Sequence, residues 1–312
     1  MVSAEEIDAA AKIILNGGLV VFPTETVYGL GANACDATAV RKIFELKGRP
    51  ATSPVIVHVA SVAQAQGLAA ADWPEAAQQL ACKFWPGPLT IVVPKNSLIP
   101  DLVTAGLPTV GLRMPKNEIA LALIRKAGVP IAAPSANRFA QLSPTTAQHV
   151  RDAFGNEAPM ILDGGPCEVG LESTVVAVVG QRVELLRPGM IFVEEAVAAA
   201  NPDEVSDAHR SPGQHRKHYS PRTKLILVSD GELPEHGCGA FLARTDRAIT
   251  TGSCRRLVVM PSEAAEYAAQ LYKALHELDG GGYDWIAVES PPQTPEWAAI
   301  WDRLRRATQQ VH

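Results

Sequence analysis

The sequence predicts an α/β protein with two domains, and three observations lead to that prediction. Stretches with apolar residues at helical spacing alternate along the chain with short apolar runs typical of buried strands. The composition is globular, with 47% hydrophobic and 20% charged residues in a chain of 312. The alternation breaks once, between residues 201 and 222, in a stretch rich in proline and basic residues. We therefore expect a first domain over residues 1–205, a basic proline-rich linker over residues 206–222, and a small α/β, Rossmann-like domain over residues 223–312.

The first predicted element is a helix over residues 4–16, where Ile7, Ala10 and Ile14 recur at helical spacing before Gly17-Gly18. The same periodicity predicts further helices over residues 37–47, 73–84, 118–127 and 145–154. Strands are predicted over residues 19–22, 55–59, 89–93, 109–113, 129–133, 160–162, 173–179 and 183–186. Because the last of these strands follow one another without crossover helices, the sheet is predicted to be mixed.

Beyond the linker, strands predicted over residues 225–228, 240–243, 256–260 and 285–288 alternate with helices over residues 263–278 and 295–306. The formal charge of −5 argues against a wholly basic, nucleic-acid-binding surface. Five scattered cysteines without CxxC spacing predict neither a disulfide framework nor a zinc site. With acids early in the chain and no apolar run near the ~18 residues that span a bilayer, we expect a soluble cytoplasmic protein without membrane contact.

The stretch PTETVYGLGA, residues 23–32, directly follows the strand predicted over residues 19–22. It places Thr24, Glu25 and Thr26 at the carboxyl end of a strand, where ligands bind in open α/β sheets. The two glycines at positions 29 and 31 fit a tight loop that lets a ligand approach the backbone, and a plain structural turn is an equal alternative. Glu25 is the acid best placed to help hold a divalent ion, although no metal ligand set is predicted.

Two cations, Lys47 and Arg49, follow the predicted helix over residues 37–47 and precede a strand that delivers His58. One cation near a helix end is explained by the helix dipole. A pair beside a proline-rich turn better suits a phosphate or carboxylate ligand, because arginine can grip such anions with two donors.

Further polar residues fall at other predicted strand ends. Arg113 ends the strand over residues 109–113, and short donors follow the strand over residues 129–133, although capping of the next helix is an alternative role for Ser143. These positions predict one cationic, donor-rich face suited to a nucleoside triphosphate beside a carboxylate substrate. Its predicted members are Thr24, Lys47, Arg49, His58, Arg113, Ser135, Asn137, Ser173 and Arg187.

Eight motifs occur along the first predicted domain in this order: PTETVYGLGA, the KGR of residues 47–49, PVIVH, FWPGPLT, VGLRMP, the SAN of residues 135–137, GLESTVV and LLRPG. Together they resemble the motifs of the threonylcarbamoyl-AMP synthase family, which occur in the same order. SPGQHRKHYSPRTKL resembles the linker of its long, two-domain form. The resemblance implies a twisted, mainly parallel sheet with flanking helices and a cationic cavity.

The resemblance also implies a reaction. L-threonine, bicarbonate and ATP, with Mg²⁺, would give threonylcarbamoyl-adenylate and pyrophosphate, and a separate transferase would pass the threonylcarbamoyl group to tRNA next to the anticodon. By the same resemblance Lys47 and Arg49 are catalytic. Residues implied to hold threonine and its carbamate are Thr24, His58, Arg113 and Ser173. Residues implied to contact ATP are Lys47, Arg49, Thr109, Ser135, Asn137, Ser143, Arg187 and the linker's Tyr219.

The chain departs from the family in the linker, where Gln214, His215 and Arg216 replace the usual Met-Lys-Tyr, so that Arg216 or Lys217 would replace the lost charge. Two other functions stay open from sequence. One is a non-catalytic module that binds double-stranded RNA or tRNA through the same cavity, with weak tRNA binding as a lesser version. The other is a carbamoyl-transfer domain of a larger maturation enzyme, which the absence of zinc-finger spacing disfavours.

Overall fold

The protein is described by a computed structural model, whose described residues are 2–70, 72–198, 219–229, 232–244 and 253–308. Two sheets organise it: a large sheet in the N-terminal part (residues 2–198) and a small sheet in the C-terminal part (residues 219–308). The strands of the large sheet are β1 (Val20–Phe22), β2 (Gly29–Asn33), β3 (Val57–His58), β4 (Leu89–Pro94), β5 (Thr109–Arg113), β6 (Ile131–Ala132), β7 (Met160–Ile161), β8 (Thr174–Val179), β9 (Arg182–Arg187) and β10 (Ala196–Ala198).

The helices that flank the large sheet are α1 (Ala4–Leu15), α2 (Ala37–Lys47), α3 (Val62–Gln66), α4 (Glu75–Phe84), α5 (Asp101–Thr104), α6 (Glu118–Ala127) and α7 (Ala147–Phe154). Their ends carry the expected local signals. Ser3 and Glu6 form a capping box at the start of α1, and Asp36 accepts two backbone N–H bonds at the start of α2. α2 ends at Gly48 in the left-handed conformation, which turns the chain directly toward Arg49.

The large sheet is mixed, as predicted, with the strand order β10-β9-β8-β4-β5-β3-β6-β2-β1-β7. Among its described strands the parallel pairs are β1–β7, β3–β5, β4–β8 and β9–β10, and the other five pairs are antiparallel. Parallel pairing therefore predominates only when the wholly parallel small sheet is counted as well. Tight connections such as that between β8 and β9 impose antiparallel pairs, because parallel neighbours need a long crossover.

The predicted glycine loop within residues 23–32 is wrong from Gly29 onward, because that stretch is the buried strand β2, antiparallel to β1. A Cβ on Gly31 would lie 2.7 Å from the Phe22 ring and 2.8 Å from Ile131 Cγ2. The glycine there serves close packing of neighbouring side chains in the sheet. α3, α5 and β10 had no prediction, because elements of three to five residues show too little periodicity.

The small sheet contains β11 (Lys224–Val228), β12 (Gly239–Ala243), β13 (Cys254–Val259) and β14 (Trp285–Glu289) in the order β11-β14-β12-β13. Its helices are α8 (Ala264–Asp279) and α9 (Ala298–Thr308), the latter preceded by the 3-10 turn Pro295–Trp297. The apolar core beneath α8 and α9 continues into the N-terminal part through Val27, Leu142 and Leu171. Within the described residues, no helix is long and apolar enough to cross a membrane.

Candidate active site

A cavity lies where the ends of several strands of the large sheet meet, and its space, counted together with its opening to solvent, is about 550 Å³. The turn after β1, the ends of β3, β5 and β9 and the start of β8 all contribute to its wall, and Tyr219 closes one side from the C-terminal part. The residues that line it are Thr24, Thr26, Val27, Gly29, Arg49, Val55, Ile56, His58, Arg113, Ala133, Pro134, Ser135, Glu172, Ser173, Arg187 and Tyr219.

Three buried arginines give the cavity its charge. Arg49, Arg113 and Arg187 are each at most 7% exposed, and Glu172 is the single carboxylate among the described lining residues. Burial, reinforced by the charge of Arg187 and opposed by Tyr219, lowers the pKa of Arg49 to about 10. Arg49 is still charged at neutral pH, and its depressed pKa reflects an environment that an anion would stabilise. The cavity is therefore built to hold anionic groups.

Arg113 ends β5 and reaches the turn after β1. Its Nη1 donates to Thr26 Oγ1 at 2.9 Å, and its Nη2 lies 2.8 Å from Glu25 Oε1 as an ion pair without hydrogen-bond geometry. Its Nε has no hydrogen-bond partner among the described residues. Thr24 Oγ1 donates to the Val27 carbonyl at 2.6 Å and lies 2.8 Å from Thr26 Oγ1, which fixes the turn. Arg113 thus keeps donor capacity for a ligand carboxylate.

His58 ends β3 beside Arg113 and is 4% exposed. Burial and then the charge of Arg113 lower the pKa of His58 to about 3, so the imidazole is neutral at physiological pH. Its Nδ1 has no hydrogen-bond partner among the described residues. A neutral imidazole next to a guanidinium can accept or donate one hydrogen bond to a polar ligand without adding charge.

Lys47 lies behind the cavity wall. Its Nζ donates to the Ser135 carbonyl at 2.7 Å, to the Asn137 carbonyl and to Asn137 Oδ1 at 3.3 Å. Ser135 Oγ in turn donates to Asn137 Oδ1 at 2.6 Å. Burial, then Arg49, lowers the pKa of Lys47 well below its usual value. In this structure Lys47 and Asn137 hold the loop that presents Ser135 to the cavity.

Another part of the wall is formed by Ser173, Arg187 and Tyr219. Arg187 donates to the Ser173 carbonyl from Nε at 3.1 Å and from Nη2 at 2.9 Å, and its Nη1 lies 3.5 Å from Tyr219 Oη. Tyr219 has a φ of 60° and is 1% exposed, so the chain turns sharply to bury this ring. Residues 206–218 of the predicted linker, which include Gln214, His215, Arg216 and Lys217, lie outside the described residues.

Like Lys47 and Asn137, two further residues implied to contact ATP are not part of the cavity lining. Ser143 is fully buried and donates to Glu172 Oε1 at 2.5 Å, so it contacts the cavity only through that carboxylate. Thr109 begins β5 and pairs with Pro94, and it is not among the lining residues. Arg113 ends the same strand, so the two are about 13 Å apart by strand rise alone.

The lining includes Glu172, for which the sequence analysis makes no prediction, and Thr26, which it places at a ligand-binding strand end but does not count among the predicted members of the site. Both belong to motifs that the sequence displays, PTETVYGLGA and GLESTVV. These motifs indicate where the two residues lie in the chain, but not that their side chains face the cavity. The suggestion that Glu25 helps hold a divalent ion is weakened, because Glu25 pairs with Arg113 and accepts the Lys116 backbone N–H. In the part of the chain that the structure describes, no group of three or more His, Cys, Asp or Glu side chains could hold a metal ion.

Comparison with known proteins places this geometry among relatives. A family model described as "Telomere recombination" (Sua5, YciO, YrdC) matches residues 12–189, and the model of the threonylcarbamoyl-AMP synthase C-terminal domain matches residues 182–309. The chain is 40% identical to the threonylcarbamoyl-AMP synthase of Pyrococcus abyssi, over 97% of this chain and 94% of that protein. It is 39% identical to the one of Bacillus subtilis, over 97% of this chain and 92% of that protein.

Solved structures agree. The crystal structure of Pyrococcus abyssi Sua5 complexed with L-threonine matches with a TM-score of 0.86 at 38% identity, over 97% of this chain and 94% of that one. Escherichia coli YciO matches with a TM-score of 0.54 at 22% identity over 62% of this chain, which supports the fold alone.

Proposed function

This chain belongs to the threonylcarbamoyl-AMP synthase family, and from that premise we propose that its cavity joins L-threonine, bicarbonate and ATP into threonylcarbamoyl-adenylate. Pyrophosphate is the second product. The observation that carries the proposal is the convergence of three buried arginines and a neutral histidine on one cavity. Every reactant in this chemistry carries a carboxylate, carbonate or phosphate group, and each needs compensating positive charge.

We assign the threonine side of the cavity to the wall around Arg113. The Arg113 guanidinium would bind the threonine carboxylate, with the Thr24 and Thr26 hydroxyls beside it. His58 supplies a neutral polar group for the amine or carbamate. Ser173 Oγ, 2.7 Å from Thr90 Oγ1, faces the same space from the start of β8.

We assign the ATP side to Arg49, Arg187, Ser135 and Tyr219. The positive charges of Arg49 and Arg187 are close enough to repel each other, and a bound polyphosphate would offset this repulsion. Lys47 acts on this side by holding the loop that bears Ser135 and Asn137, and it can reach phosphate only by giving up one of these bonds.

The reaction then needs placement more than a dedicated base. The neutral threonine amine attacks the carbon of carbon dioxide or bicarbonate and forms the N–C bond of the carbamate. With carbon dioxide one C–O π bond breaks and the amine proton passes to solvent; with bicarbonate the C–O bond to the hydroxyl group breaks and that group leaves as water with the amine proton. A carbamate oxygen attacks the α-phosphorus of ATP, the bond to the bridging oxygen breaks, and pyrophosphate leaves with the electron pair. The buried guanidinium groups stabilise charge on the carbamate and phosphates while holding the reactants together.

Mg²⁺ fits this site as the companion of the ATP phosphates. Glu25 is paired with Arg113, and Glu172 accepts bonds from Arg303 and Ser143, so the described carboxylates near the cavity are already engaged. Mg²⁺ commonly keeps several waters and binds through substrate phosphates, and it would neutralise phosphate charge here.

The RNA-binding alternative is not favoured, because the arginines are buried around a cavity sized for small molecules rather than spread over a face that a duplex could contact. Transfer of the threonylcarbamoyl group to tRNA would fall to a separate transferase. Weak tRNA binding stays a prediction, to be tested by whether affinity falls steeply as salt rises.

The test is pyrophosphate release by the purified protein from MgATP and bicarbonate, with L-threonine, with L-serine and without amino acid. We expect release that depends on L-threonine and is lost in Arg113→Met and in Lys47→Ala. Arg125→Met removes an exposed arginine from α6 and is the matched control, with activity near wild type. Release that is absent, or that does not depend on L-threonine, would overturn the proposal.

A further inference from the structure

One residue of the C-terminal part, Arg303, donates hydrogen bonds to the wall of the cavity. Arg303 lies in α9 and is 1% exposed. Its Nε donates to Glu172 Oε2 at 2.7 Å and its Nη2 to the Glu172 carbonyl at 3.3 Å. Its Nη1 donates to the Pro188 carbonyl at 2.9 Å and to Asp302 Oδ2 at 2.7 Å.

The two N-terminal partners of Arg303 each adjoin a residue of the cavity. Glu172 directly precedes Ser173, and Pro188 directly follows Arg187. The Arg303 guanidinium also lies over the Tyr219 ring, 5.2 Å from its centroid. One side chain therefore ties together the start of β8, the end of β9 and the ring that closes the cavity.

The chemistry of Glu172 gives this arrangement a consequence. Glu172 is the carboxylate of an otherwise cationic wall, and it is 7% exposed. Arg303 compensates its charge, while Ser143 and Tyr272 donate hydroxyl hydrogen bonds to its oxygens. Without Arg303, a buried carboxylate without its counter-charge would stand beside the polyphosphate and repel it.

We infer that Arg303 is a positioning residue for ATP: it keeps Glu172 compensated and the Ser173–Arg187 wall in place, so that α9 supports the site without itself touching substrate. The inference rests on the proposed function for the identity of the ligand. The charge effect should fall mainly on ATP, because zwitterionic threonine carries no net charge.

The test is equilibrium binding of MgATP, measured by calorimetry on the full chain without threonine. We expect Arg303→Met to weaken binding about tenfold, and Arg303→Met/Glu172→Gln to recover most of that loss, because the unpaired charge is then gone. L-threonine affinity should change far less. Arg305→Met removes an exposed charge from the same helix, where Arg305 stacks on Trp301, and should bind MgATP as wild type does.

Thermal melts check that each variant is folded, and Arg303→Gln, which keeps hydrogen bonding without charge, replaces Arg303→Met if the latter does not fold. Folded Arg303 variants that bind MgATP as Arg305→Met does would overturn the inference, as would a loss that Glu172→Gln leaves unchanged. If the wild-type protein binds MgATP but releases no pyrophosphate with threonine, the proposed function is contradicted and the inference about Arg303 is not. A wild-type protein that binds no MgATP overturns both.

Discussion

Two buried arginine–glutamate pairs each contribute one residue to the cavity wall, and they are bonded in different ways. Arg113 and Glu25 both belong to the N-terminal part, and Arg113 Nε has no hydrogen-bond partner among the described residues. Arg303 and Glu172 join the two parts of the molecule, and all three guanidinium nitrogens of Arg303 donate to named acceptors.

The difference separates two uses of a buried charge. An under-bonded guanidinium in a cavity retains the capacity to bind an incoming anion. A fully bonded guanidinium fixes the residues around it. We therefore expect the Arg113 pair to contact substrate and the Arg303 pair to support the wall. Removing both charges of each pair distinguishes the two, because support can be restored in this way whereas a lost ligand contact cannot.

The largest expected effect is at Arg113. Arg113→Met should reduce threonine-dependent pyrophosphate release at least about a hundredfold, by loss of a charge that stabilises the reacting groups. It should also lower the free energy of unfolding by about 3–5 kcal/mol, because Glu25 is left buried without its partner. Steady-state kinetics and urea unfolding measure the two effects.

Arg113→Met/Glu25→Gln sharpens the comparison. Removing the stranded carboxylate should restore most of the stability and none of the activity. Recovery of activity in this double variant would contradict a substrate contact for Arg113 and would make the two pairs equivalent.

A smaller effect is expected at Gly189, which packs closely against the backbone of Ser173 and Thr174 in the part of the wall that Arg303 supports. A Cβ on Gly189 would lie 2.3 Å from the Thr174 backbone N and 2.7 Å from the Ser173 backbone C. Gly189→Ala should therefore push the end of β9 away from Ser173, destabilise the protein by about 1–3 kcal/mol and weaken MgATP binding.

Gly67→Ala is the matched control for that substitution, because its Cβ would meet nothing closer than 3.5 Å. Urea unfolding and calorimetry on both variants check the effect. Equal stability of the two variants would show that the wall tolerates displacement, contrary to the role given to it.

A third prediction concerns the contact between the two parts outside the cavity. His149 of α7 stacks on His276 of α8 with ring centroids 3.9 Å apart. Burial and then His276 lower the pKa of His149 to about 4, with Asp152 opposing and Lys273 reinforcing the shift. Because the unfolded state binds this proton more readily, stability should fall as pH drops from about 6.5 toward 4.

Unfolding measured between pH 7.5 and 4.5 checks this dependence. His149→Phe keeps a stacking ring and should flatten the profile in that window. If His149→Phe leaves the pH dependence of stability unchanged, other groups cause it and the buried His149 does not.

The smallest effect is expected for an exposed pair. Lys83 Nζ lies 3.2 Å from Glu195 Oε1, and both side chains are more than half exposed. Lys83→Met should change the free energy of unfolding by less than about 1 kcal/mol, because water screens the pair. If Lys83→Met lowers the free energy of unfolding as much as Arg113→Met does, burial does not explain why the Arg113–Glu25 pair matters more to stability than the Lys83–Glu195 pair.

The sequence predicts several members of the cationic wall because they lie at the ends of strands. His58 and Arg113 end β3 and β5, and Ser173 precedes β8, so locating the strands locates the residues. Thr109 shows the limit of that reasoning. It begins the strand that Arg113 ends, and the length of β5 separates it from the cavity.

Other features depend on contacts that no local pattern contains. Arg303 lies on the face of α9 that also buries Ala299 and Ala307, and the carboxylate that compensates its charge there, Glu172, is 131 positions earlier in the chain. The spacing of Gly29 and Gly31 predicts a tight loop open to a ligand. Gly31 lies instead in β2, where Phe22 and Ile131 leave no room for a side chain and so favour glycine.

The most direct test of the central claim is the identity of the product. Purified protein would be incubated with MgATP, L-threonine and ¹³C-labelled bicarbonate, and the mixture analysed by mass spectrometry beside Arg113→Met/Glu25→Gln. The account predicts threonylcarbamoyl-adenylate that carries the label in its carbamate carbon, formed by wild type and not by the double variant. Pyrophosphate without a labelled adduct, or a labelled adduct from both proteins, would contradict it.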